Sequence, residues 1–473
     1  MKKYIKHSNE SYIITTTLIK AAIVASLGGL LFGFDTAVIA GTTSSIETLF
    51  QLSEWAMGFV VSSALIGTII GTLISSKPGD KWGRRDSLKA LGVLFIVSAL
   101  GCAFAWNYWS LCFFRFIGGL AIGGSSVLGP MYIAEISPAK LRGRLVILFQ
   151  FNVCVGILVA YFSNAVIGLL NLNELHIQWR AMFGVGVIPA LLFTIMLFTI
   201  PRSPRWLVSV HNYDEARRVL TQIGELRVDE EMAEIINSLK SSISQFGEKL
   251  FQRKYLYPIF LGVAVAAFNQ LSFVNGFLYY LNDTLNEIGA KFGGKFQPVI
   301  IGIANVVAVA IALLTIDKMG RKKLLLIGSW GAAVPLALCA YIAWTRNLIE
   351  LFPWSIATFI LFFSYSQGTV IWVYISEVFP NKVRSKGQSL GSFTHWSLAA
   401  IAAQLYPVIV AIPKVGLAIP FIIGAIMMVV QFFVVWFYFV ETKGIPLEQL
   451  EVTLGVKSQE EIGDSVIQNT LAE

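Results

Sequence analysis

The chain of 473 residues is 56% hydrophobic and only 14% charged, whereas a soluble domain normally carries about 25% charged residues. Its net charge of +8 does not indicate nucleic-acid binding, because most basic residues lie in the N-terminal tail, in a polar central segment and in short loops between long apolar runs. This composition excludes an ordinary soluble protein and predicts a protein that lies in a lipid bilayer.

Twelve apolar runs follow one another along the chain. Each is about 20 residues long, which is enough to cross a bilayer as a helix. The runs are continuous and do not alternate with polar residues, which favours helices over strands. We therefore predict an all-α membrane protein with twelve transmembrane helices. The runs lie near 17–40, 56–76, 88–106, 109–134, 145–168, 180–200, 255–281, 297–316, 323–344, 353–376, 389–411 and 416–440.

A polar segment divides the twelve runs into two sets of six. The polar segment has the pattern of short amphipathic helices, as in Asp214-Glu-Ala-Arg-Arg218. The predicted domains are an N-terminal six-helix bundle at 1–201, a cytoplasmic helical linker at 202–254, a C-terminal six-helix bundle at 255–440 and a cytoplasmic tail at 441–473.

Basic residues gather on one side of the predicted membrane. They follow the even-numbered runs, and such loops remain in the cytoplasm. This pattern predicts that both termini are cytoplasmic. The basic residues in question are Lys81, Arg84, Arg85, Lys89, Lys140, Arg142, Arg144, Lys318, Arg321, Lys322, Lys323, Lys382, Arg384 and Lys386.

Two charged motifs occur twice, and both recur after about half the chain length. The motif at 80–85, Asp-Lys-Trp-Gly-Arg-Arg, returns at 317–322 as Asp-Lys-Met-Gly-Arg-Lys. Tyr132-Ile-Ala-Glu135 returns as Tyr374-Ile-Ser-Glu377. A duplicated bundle with charged loops on one face is typical of transporters whose halves rock against each other.

Glycines and cysteines inside the runs indicate packing. Gly119-Leu-Ala-Ile-Gly123 lacks the strand that precedes a nucleotide-binding loop, and close helix contact through small residues explains it. The four cysteines lie in apolar runs and have neither disulfide nor metal-site spacing. We expect no metal site, no cofactor, no catalytic residues and no enzymatic activity.

Two ionisable residues stand inside apolar runs, Asp35 in the first and Arg115 in the fourth. Each costs about 2.5–3.5 kcal/mol at the centre of a membrane helix, and a charge that remains there indicates a function. The two charges relieve this cost only by pairing. One interpretation is a structural salt bridge. The other is a switch, in which protonation of Asp35 frees Arg115.

Amide side chains form a second polar set inside the runs. Amides both donate and accept hydrogen bonds, so a convergent group suits a neutral polyhydroxylated ligand. Aromatic residues beside them offer faces for the C–H surface of a sugar ring. A single amide is also explained as a helix-to-helix contact. The amides are Gln150, Asn152, Asn269, Gln270, Asn275, Asn305 and Gln404, and the aromatics are Phe32, Tyr279, Tyr280, Trp372 and Trp396.

These residues resemble the sugar porter family of the major facilitator superfamily over nearly the whole chain. The motifs that carry the resemblance are Gly33-Phe-Asp35, Gly83-Arg-Arg85, Arg115-Phe-Ile-Gly-Gly, Tyr132 to Glu135 with Arg142-Gly143, Trp179-Arg180, Pro201-Arg-Ser-Pro-Arg-Trp206, Gln270-Leu-Ser with Asn275, Asp317 to Arg321, Trp372 to Pro380 and Glu441-Thr-Lys-Gly444. The resemblance implies the major facilitator fold with two six-helix bundles.

The resemblance also implies three sets of functional residues. Asp35 and Arg115 look like the proton-coupling pair of proton–xylose symporters, whereas facilitative animal glucose carriers typically have Asn at the acidic position. The implied sugar contacts are Phe32, Gln150, Asn269, Gln270, Asn275, Tyr279, Asn305, Trp372, His395 and Trp396. The implied cytoplasmic gate consists of Arg84, Glu135, Arg142, Asp317, Arg321, Glu377 and Arg384.

Four positions depart from the family pattern. His395 stands where an amide is usual, Phe273 replaces a small Gly, and Thr369 replaces a Pro after Gly368. Arg202 replaces the usual Glu of a Pro-Glu-Ser-Pro-Arg motif. His395 is either a hydrogen-bonded packing residue, a sugar ligand or a second titrating group.

The sequence predicts a proton-coupled importer of a hexose or pentose in a bacterial plasma membrane, working by alternating access. Its partners would be the monosaccharide, the proton and the lipid bilayer, with the proton as coupling ion, no nucleic acid and one chain as the functional unit. Two alternatives remain open. A facilitative sugar or polyol uniporter would use Asp35 and Arg115 only structurally, and a sugar sensor would not transport.

Overall fold

The computed structural model describes residues 12–170, 177–244, 248–289, 296–380, 382–445, 450 and 452–456. Twelve stretches of helix in these ranges are long and apolar enough to cross a membrane. This confirms the twelve runs predicted from the sequence. The helices before the linker are α1 (Thr16–Val38), α2 (Thr43–Phe50), α3 (Glu54–Ile74), α4 (Ser76–Trp82), α5 (Arg84–Ala103), α6 (Tyr108–Ile136), α7 (Ala139–Leu169), α8 (Ile177–Val185) and α9 (Val187–Met196).

The linker forms short helices, as its amphipathic pattern predicts. Asn212 caps the second of them, because its side chain accepts a hydrogen bond from the backbone N–H of Glu215. The predicted tail lies largely outside the described residues. The linker helices are α10 (Pro204–Ser209), α11 (Tyr213–Ile223) and α12 (Val228–Ser244).

Two spans of the second half are broken within the membrane. One span is interrupted at Ser272 and Phe273, and the other at Ser366. Broken helices of this kind mark binding sites in many transporters. The helices of the second half are α13 (Leu256–Leu271), α14 (Val274–Tyr279), α15 (Leu281–Ile288), α16 (Gln297–Met319), α17 (Arg321–Thr345), α18 (Phe352–Tyr365), α19 (Gln367–Val378), α20 (Arg384–Val410) and α21 (Ile419–Tyr438).

The chain forms two compact units. The first unit comprises Met1–Ser244, Gly276–Val306 and Ala403–Ala411, and the second comprises Gln245–Asn275, Val307–Ala402 and Ile412–Glu473. Parts of the second half of the sequence therefore belong to the first unit. The continuous domain boundaries given by the sequence stay a prediction.

Small residues bring the helices of the first unit into close contact. A Cβ atom on Gly33 of α1 would lie 1.9 Å from the carbonyl oxygen of Val153 on α7. On Gly119 of α6 it would lie 1.9 Å from the carbonyl oxygen of Ala64 on α3. No larger side chain fits at either place. The packing interpretation of the Gly119–Gly123 motif is thus confirmed.

The first unit also holds segments from the second half of the chain. The hydroxyl of Tyr161 donates to the carbonyl of Leu278 at 3.0 Å. The Tyr280 ring stacks on Tyr406 at 5.1 Å, and the Tyr280 hydroxyl donates to the carbonyl of Ala403 at 3.2 Å. These buried contacts fasten Gly276–Val306 and Ala403–Ala411 to the first six spans.

The second unit has a core built around α13 and α19. Tyr374 is fully buried there, and its ring stacks on Phe439 at 5.1 Å. Leu261 and Val265 of α13 and Ile371 of α19 belong to the same core. This core fixes the two broken spans relative to each other and positions the polar residues that they carry.

Candidate functional site

The repeated charged motif of the first unit forms an ion-pair node. The Nε atom of Arg84 lies 3.0 Å from the carboxylate of Glu135. Ser203, at the start of α10, donates a hydrogen bond to the same carboxylate. The hydroxyl of Tyr132, one turn before Glu135, donates to the carbonyl of Pro201 at 2.7 Å. The node thereby joins α5, α6 and the start of the linker.

The second unit repeats this node with the corresponding residues. Arg321 contacts the carboxylate of Glu377 at 3.0 Å, and Thr442 donates to the same carboxylate. The hydroxyl of Tyr374 donates to the carbonyl of Val440 at 3.1 Å. The sequence repeat is therefore a structural repeat. Ser203 and Thr442 were absent from the candidate gate, although each stands at the same place in the two halves.

A glycine enables each node to form. Gly83 has φ = 86° and Gly320 has φ = 88°, a backbone conformation that favours glycine. Each glycine ends one helix and lets the next begin at once with the arginine of the node. The glycine of the repeated motif thus aims Arg84 and Arg321 at their carboxylates.

The remaining predicted gate residues lie outside these pairs, near the ends of other helices. Arg142 donates to the carbonyl of Ala134 at 3.1 Å, and Arg384 donates to the carbonyl of Phe379 at 3.3 Å. Asp317 lies on α16, and its side chain is outside the described part of the structure. The structure therefore joins four of the seven predicted gate residues in two ion pairs, each within a single unit.

Asp35 and Arg115 meet inside the first unit, as the sequence predicts. The Nη1 atom of Arg115 lies 2.9 Å from the Asp35 carboxylate and 3.3 Å from its backbone carbonyl. The Arg115 side chain is 1% exposed and that of Asp35 is 17% exposed. The Nε atom of Arg115 has no hydrogen-bond partner among the described residues. Among the described residues, the Asp35 carboxylate is therefore the one negatively charged group that pairs with the buried Arg115 guanidinium.

Aromatic residues of the predicted sugar site border this pair. Thr36 follows Asp35, and its hydroxyl donates to the carbonyl of Phe32 at 2.9 Å. The side chain of Tyr279 is buried and lies close to Thr36. Phe32, Thr36 and Tyr279 therefore form a chain of contacts that begins at the residue next to Asp35.

Gln270 is the centre of a polar cluster in the second unit. Its amide nitrogen lies 3.0 Å from the Asn269 side-chain oxygen and 3.1 Å from the His395 Nε2 atom. Its side-chain oxygen accepts a hydrogen bond of 2.8 Å from Asn275. An amide nitrogen can only donate, so the His395 nitrogen that faces it is the acceptor. Three predicted sugar contacts are thus held in place by Gln270.

Two tryptophans enclose the same cluster. The His395 ring lies 4.9 Å from the Trp372 ring and 4.7 Å from the Trp396 ring. Trp372 is partly buried, whereas Trp396 and His395 are buried. An apolar wall beside amide and imidazole groups matches the two faces of a sugar, which has apolar C–H surfaces and polar hydroxyls.

The other predicted sugar contacts lie in the first unit. Gln150 is on α7 and half-buried, and Asn305 is on α16 and buried. Neither side chain makes a hydrogen bond to another described residue, so both amides remain available to a ligand.

Two amides that the sequence groups with the sugar cluster serve packing instead. Asn152 donates to the hydroxyl of Ser26 at 2.9 Å. Gln404 accepts from Ser62 at 2.8 Å and donates to the carbonyl of Trp55 at 2.8 Å. These bonds join neighbouring helices, and the helix-to-helix interpretation is the correct one for both residues.

The departures at Phe273 and Thr369 fall at the two helix breaks. Phe273 has φ = 60°, in the left-handed region that a bulky residue rarely adopts. It lies directly after Ser272, which follows the last residue of α13. Thr369 lies on α19, and its hydroxyl donates to the carbonyl of Ser364 at 2.8 Å across the second break.

A comparison with known proteins identifies the class. The family model described as sugar (and other) transporter matches residues 21–454. The arabinose-proton symporter of Bacillus subtilis is 35% identical over 92% of this chain and 94% of that protein. The D-xylose-proton symporter of Escherichia coli K12 is 35% identical over 94% of this chain and 96% of its own length.

Solved structures agree with the sequence relatives. An inward-open structure of the E. coli xylose transporter superposes with a TM-score of 0.82 and 33% identity over 92% of this chain and 99% of the other. The proton:xylose symporter bound to 6-bromo-6-deoxy-D-glucose gives a TM-score of 0.77, 33% identity and coverage of 93% and 99%. The fold is therefore that of a major facilitator transporter.

The chain belongs to the sugar transporter family, and within it to the sugar porters of the major facilitator superfamily. The family and the named relatives are transporters. The chain is accordingly a multi-pass protein of the plasma membrane.

Proposed function

We propose that this chain is a proton-coupled monosaccharide symporter that imports a hexose or pentose by alternating access. The observation that carries the proposal is the buried Asp35–Arg115 pair in the first unit. The relatives named as arabinose-proton and D-xylose-proton symporters support the same activity.

The pair suits proton coupling because protonation of Asp35 strongly changes the electrostatic free energy of the buried Arg115. With Asp35 ionised, the guanidinium of Arg115 has its carboxylate partner. With Asp35 protonated, a buried positive charge loses that partner, which is costly in an apolar environment. The packing around Arg115 must then change. Asp35 is the proton acceptor in this proposal, and Arg115 transmits its charge state to the helices.

The contacts of Thr36 give this change a route to the sugar. Tyr279 and Phe32, both predicted sugar contacts, are joined through Thr36 to the helical turn that holds Asp35. A displacement of this turn therefore moves two aromatic side chains of the proposed sugar site. Proton and sugar binding are coupled when both favour the same arrangement of this turn.

The sugar itself would be recognised chiefly by the Gln270 cluster. Asn269, Gln270, Asn275 and His395 supply donors and acceptors for hydroxyls, and Trp372 and Trp396 supply the apolar wall. This chemistry suits an uncharged polyhydroxylated ring.

The two Arg–Glu nodes would stabilise one state of the transport cycle. We place them, both chain termini and the linker on the cytoplasmic side, because basic loops remain there. Each node fixes the end of a membrane helix, so breaking it changes the relative stability of the transport states. No cofactor besides the coupling proton is required, and one chain supplies every proposed group.

The coupling is energetically useful. One proton that moves down 100 mV supplies about 2.3 kcal/mol, enough for a roughly fifty-fold concentration of a neutral solute. The test is transport by the purified chain in proteoliposomes, with a panel of pentoses and hexoses and with a pH-sensitive dye inside.

A symporter takes up protons when sugar is added and accumulates sugar when a pH gradient is imposed. Sugar uptake that only equilibrates, without proton movement, would assign the chain to facilitated diffusion. Sugar binding without any uptake would assign it to the sensors.

A further inference from the structure

A cavity of about 340 Å³ lies beside the ion-pair node of the first unit. It forms between the start of α5, the segment that precedes α10, and α11. Its walls carry three arginines and one carboxylate, and two amides stand among them. The polar lining residues are Arg85, Arg202, Asn212, Glu215, Arg218 and Gln222.

The internal repeat shows why this cavity is positively charged. Ser203 and Thr442 occupy the same place in the two nodes, so the residues that precede them, Arg202 and Glu441, also correspond. Glu441 accepts hydrogen bonds from the backbone N–H groups of Arg321 and Lys322 at 2.8 and 3.1 Å. A carboxylate thus caps the helix start in the second unit, whereas a guanidinium stands at that place in the first.

The carboxylates near the cavity are shared among its cations. Asp86 lies 3.1 Å from Arg85 and 3.2 Å from Arg202, and it also holds Lys89 at 2.8 Å. Glu215 lies 3.8 Å from Arg202, which is a long contact.

Arg218 adds a charge that no carboxylate holds. Its Nε atom donates to the carbonyl of Asp214 at 3.4 Å, and it has no carboxylate within salt-bridge distance among the described residues. The cavity therefore has a surplus of positive charge.

We propose that this cavity binds a phosphate dianion, as a soluble phosphate monoester or as a lipid headgroup. The anion supplies at the first node the negative charge that Glu441 supplies at the second. Arg202 and Arg218 are its primary partners, and Gln222 offers a further donor; the amide nitrogen of Asn212 already donates to Glu215 at 2.8 Å.

The chemistry of the lining favours phosphate over other anions. Guanidinium groups bind phosphate oxygens in pairs through parallel N–H donors, and two planar groups from different elements fit a tetrahedral dianion. The volume is at the lower end of that of small-molecule sites, which is about 300–1,000 Å³, so it admits a small phosphate compound and not a folded partner. Arg218 and Asn212 are exposed, which leaves the cavity open to solvent.

The site lies beside the proposed gate. Arg85 lines the cavity, and the preceding residue, Arg84, forms the ion pair with Glu135. An occupant that draws Arg202 away from Asp86 also changes the partners of Arg85. Binding itself is measured without transport, so this proposal does not depend on the proposed function.

The experiment uses the full chain in phosphatidylcholine nanodiscs at low ionic strength. Inorganic phosphate and glucose 6-phosphate are titrated calorimetrically, with chloride as the reference anion. Arg202→Glu restores the carboxylate of the repeat, and Arg218→Gln removes an exposed charge without touching a buried contact. Arg227→Gln is the matched control, because Arg227 pairs with Glu230 outside the cavity.

Native mass spectrometry of nanodiscs that contain phosphatidic acid tests the lipid source in parallel. We expect saturable binding of a soluble phosphate, or retained phosphatidic acid, that Arg202→Glu and Arg218→Gln each weaken at least tenfold and Arg227→Gln leaves unchanged. If the two cavity variants weaken phosphate binding in the calorimetric titration, the ligand is a soluble phosphate compound. If they lower the amount of phosphatidic acid retained, the ligand is a lipid headgroup. Absence of both kinds of binding, or equal weakening by Arg227→Gln, overturns the proposal.

Discussion

The two units of the structure share one arrangement of charged residues and differ in two other groups of polar residues. In each unit an arginine after a left-handed glycine meets a glutamate, and a hydroxyl residue completes the node. The buried Asp35–Arg115 pair belongs to the first unit alone, and the Gln270 cluster to the second. The comparison teaches that the Arg–Glu node is common to both units, whereas the buried ion pair and the amide cluster each belong to one of them.

Of the substitutions that test this comparison, we expect the largest effect from Gln270→Ala, on sugar binding. Gln270→Ala should raise the sugar dissociation constant about tenfold or more. A lost hydrogen bond contributes about 0.5–1.5 kcal/mol, and an unpaired hydroxyl in the site adds about 1–3 kcal/mol. The cluster also loses the group that orients Asn275 and His395. Sugar binding measured by tryptophan fluorescence tests this, because Trp372 and Trp396 border the cluster.

Asn152→Ala is the control for this prediction. It removes an amide that joins two helices of the first unit and should leave the dissociation constant unchanged. Equal weakening by both variants would show that loss of packing, not loss of a sugar contact, causes the effect.

The repeated node gives a second, smaller prediction. Glu135→Gln and Glu377→Gln should each shift the equilibrium between transport states about fivefold in the same direction, because each removes the charge of one ion pair in the same device. A change of about 1 kcal/mol is typical of such couplings. Spin labels at Lys81→Cys and Lys318→Cys, in a background without native cysteines, report the shift by electron–electron distance measurement.

Glu230→Gln, on the exposed surface of the linker, is the control for the gate. An unchanged distance distribution in both node variants would contradict a gating role. A shift in only one variant would show that the two nodes are not functionally equivalent.

The first span of each half provides a third comparison. Helix α1 runs unbroken, whereas α13 stops before Phe273, which has φ = 60°. Both Phe273→Ala and Phe273→Gly lose a buried ring, but only glycine relieves a strain of about 1–2 kcal/mol. We expect Phe273→Gly to be about 1 kcal/mol more stable than Phe273→Ala in thermal unfolding. In a helix the order is normally the reverse, because glycine destabilises a helix relative to alanine.

A helical position in the same span is the control. Ala266→Gly in α13 should destabilise the protein by about 1 kcal/mol. Greater stability of Phe273→Ala than of Phe273→Gly would contradict a left-handed backbone conformation at residue 273.

The smallest effect concerns Asp283 on α15, just after the span that ends at Tyr279. Burial raises the pKa of Asp283 to about 6, a hydrogen bond from Thr43 partly offsets this, and Glu47 and Glu287 add to the rise. The folded state therefore binds this proton more tightly than the unfolded state. Its stabilising contribution is complete below the unfolded pKa of 3.8 and is lost as the pH rises through about 6.

Thermal unfolding between about pH 4 and pH 6 tests this effect, because in this interval the folded state keeps the Asp283 proton and the unfolded state has lost it. We expect Asp283→Asn, which cannot ionise, to show a flatter dependence of melting temperature on pH than the parent protein. Asp229→Asn, on the exposed linker, should behave like the parent. Identical slopes for the parent and Asp283→Asn would count against the raised pKa.

Much of the fold and part of the site follow from the sequence. The twelve spans are predictable because apolar runs of about 20 residues have few other uses. The Asp35–Arg115 contact is predictable because two isolated charges in a membrane are stabilised chiefly by each other. The charged residues of the nodes can be recognised in the sequence because the motifs that carry them occur twice.

Other features depend on packing that one sequence does not display. Asn152, Gln404 and Gln270 look alike as amides in apolar runs, and only their neighbours separate helix contacts from the sugar cluster. The break at Phe273 lacks the glycine that normally signals such a turn. The grouping of Gly276–Val306 with the first unit arises from long-range aromatic contacts such as Tyr280 with Tyr406.

The central claim is that Asp35 couples the proton to the sugar, and Asp35→Asn in proteoliposomes tests it most directly. The substitution keeps the shape of the side chain and removes its titration. Counterflow of labelled sugar and accumulation driven by a pH gradient are measured on the same vesicles. We predict that counterflow persists while accumulation is lost. Full pH-driven accumulation by Asp35→Asn would contradict the account.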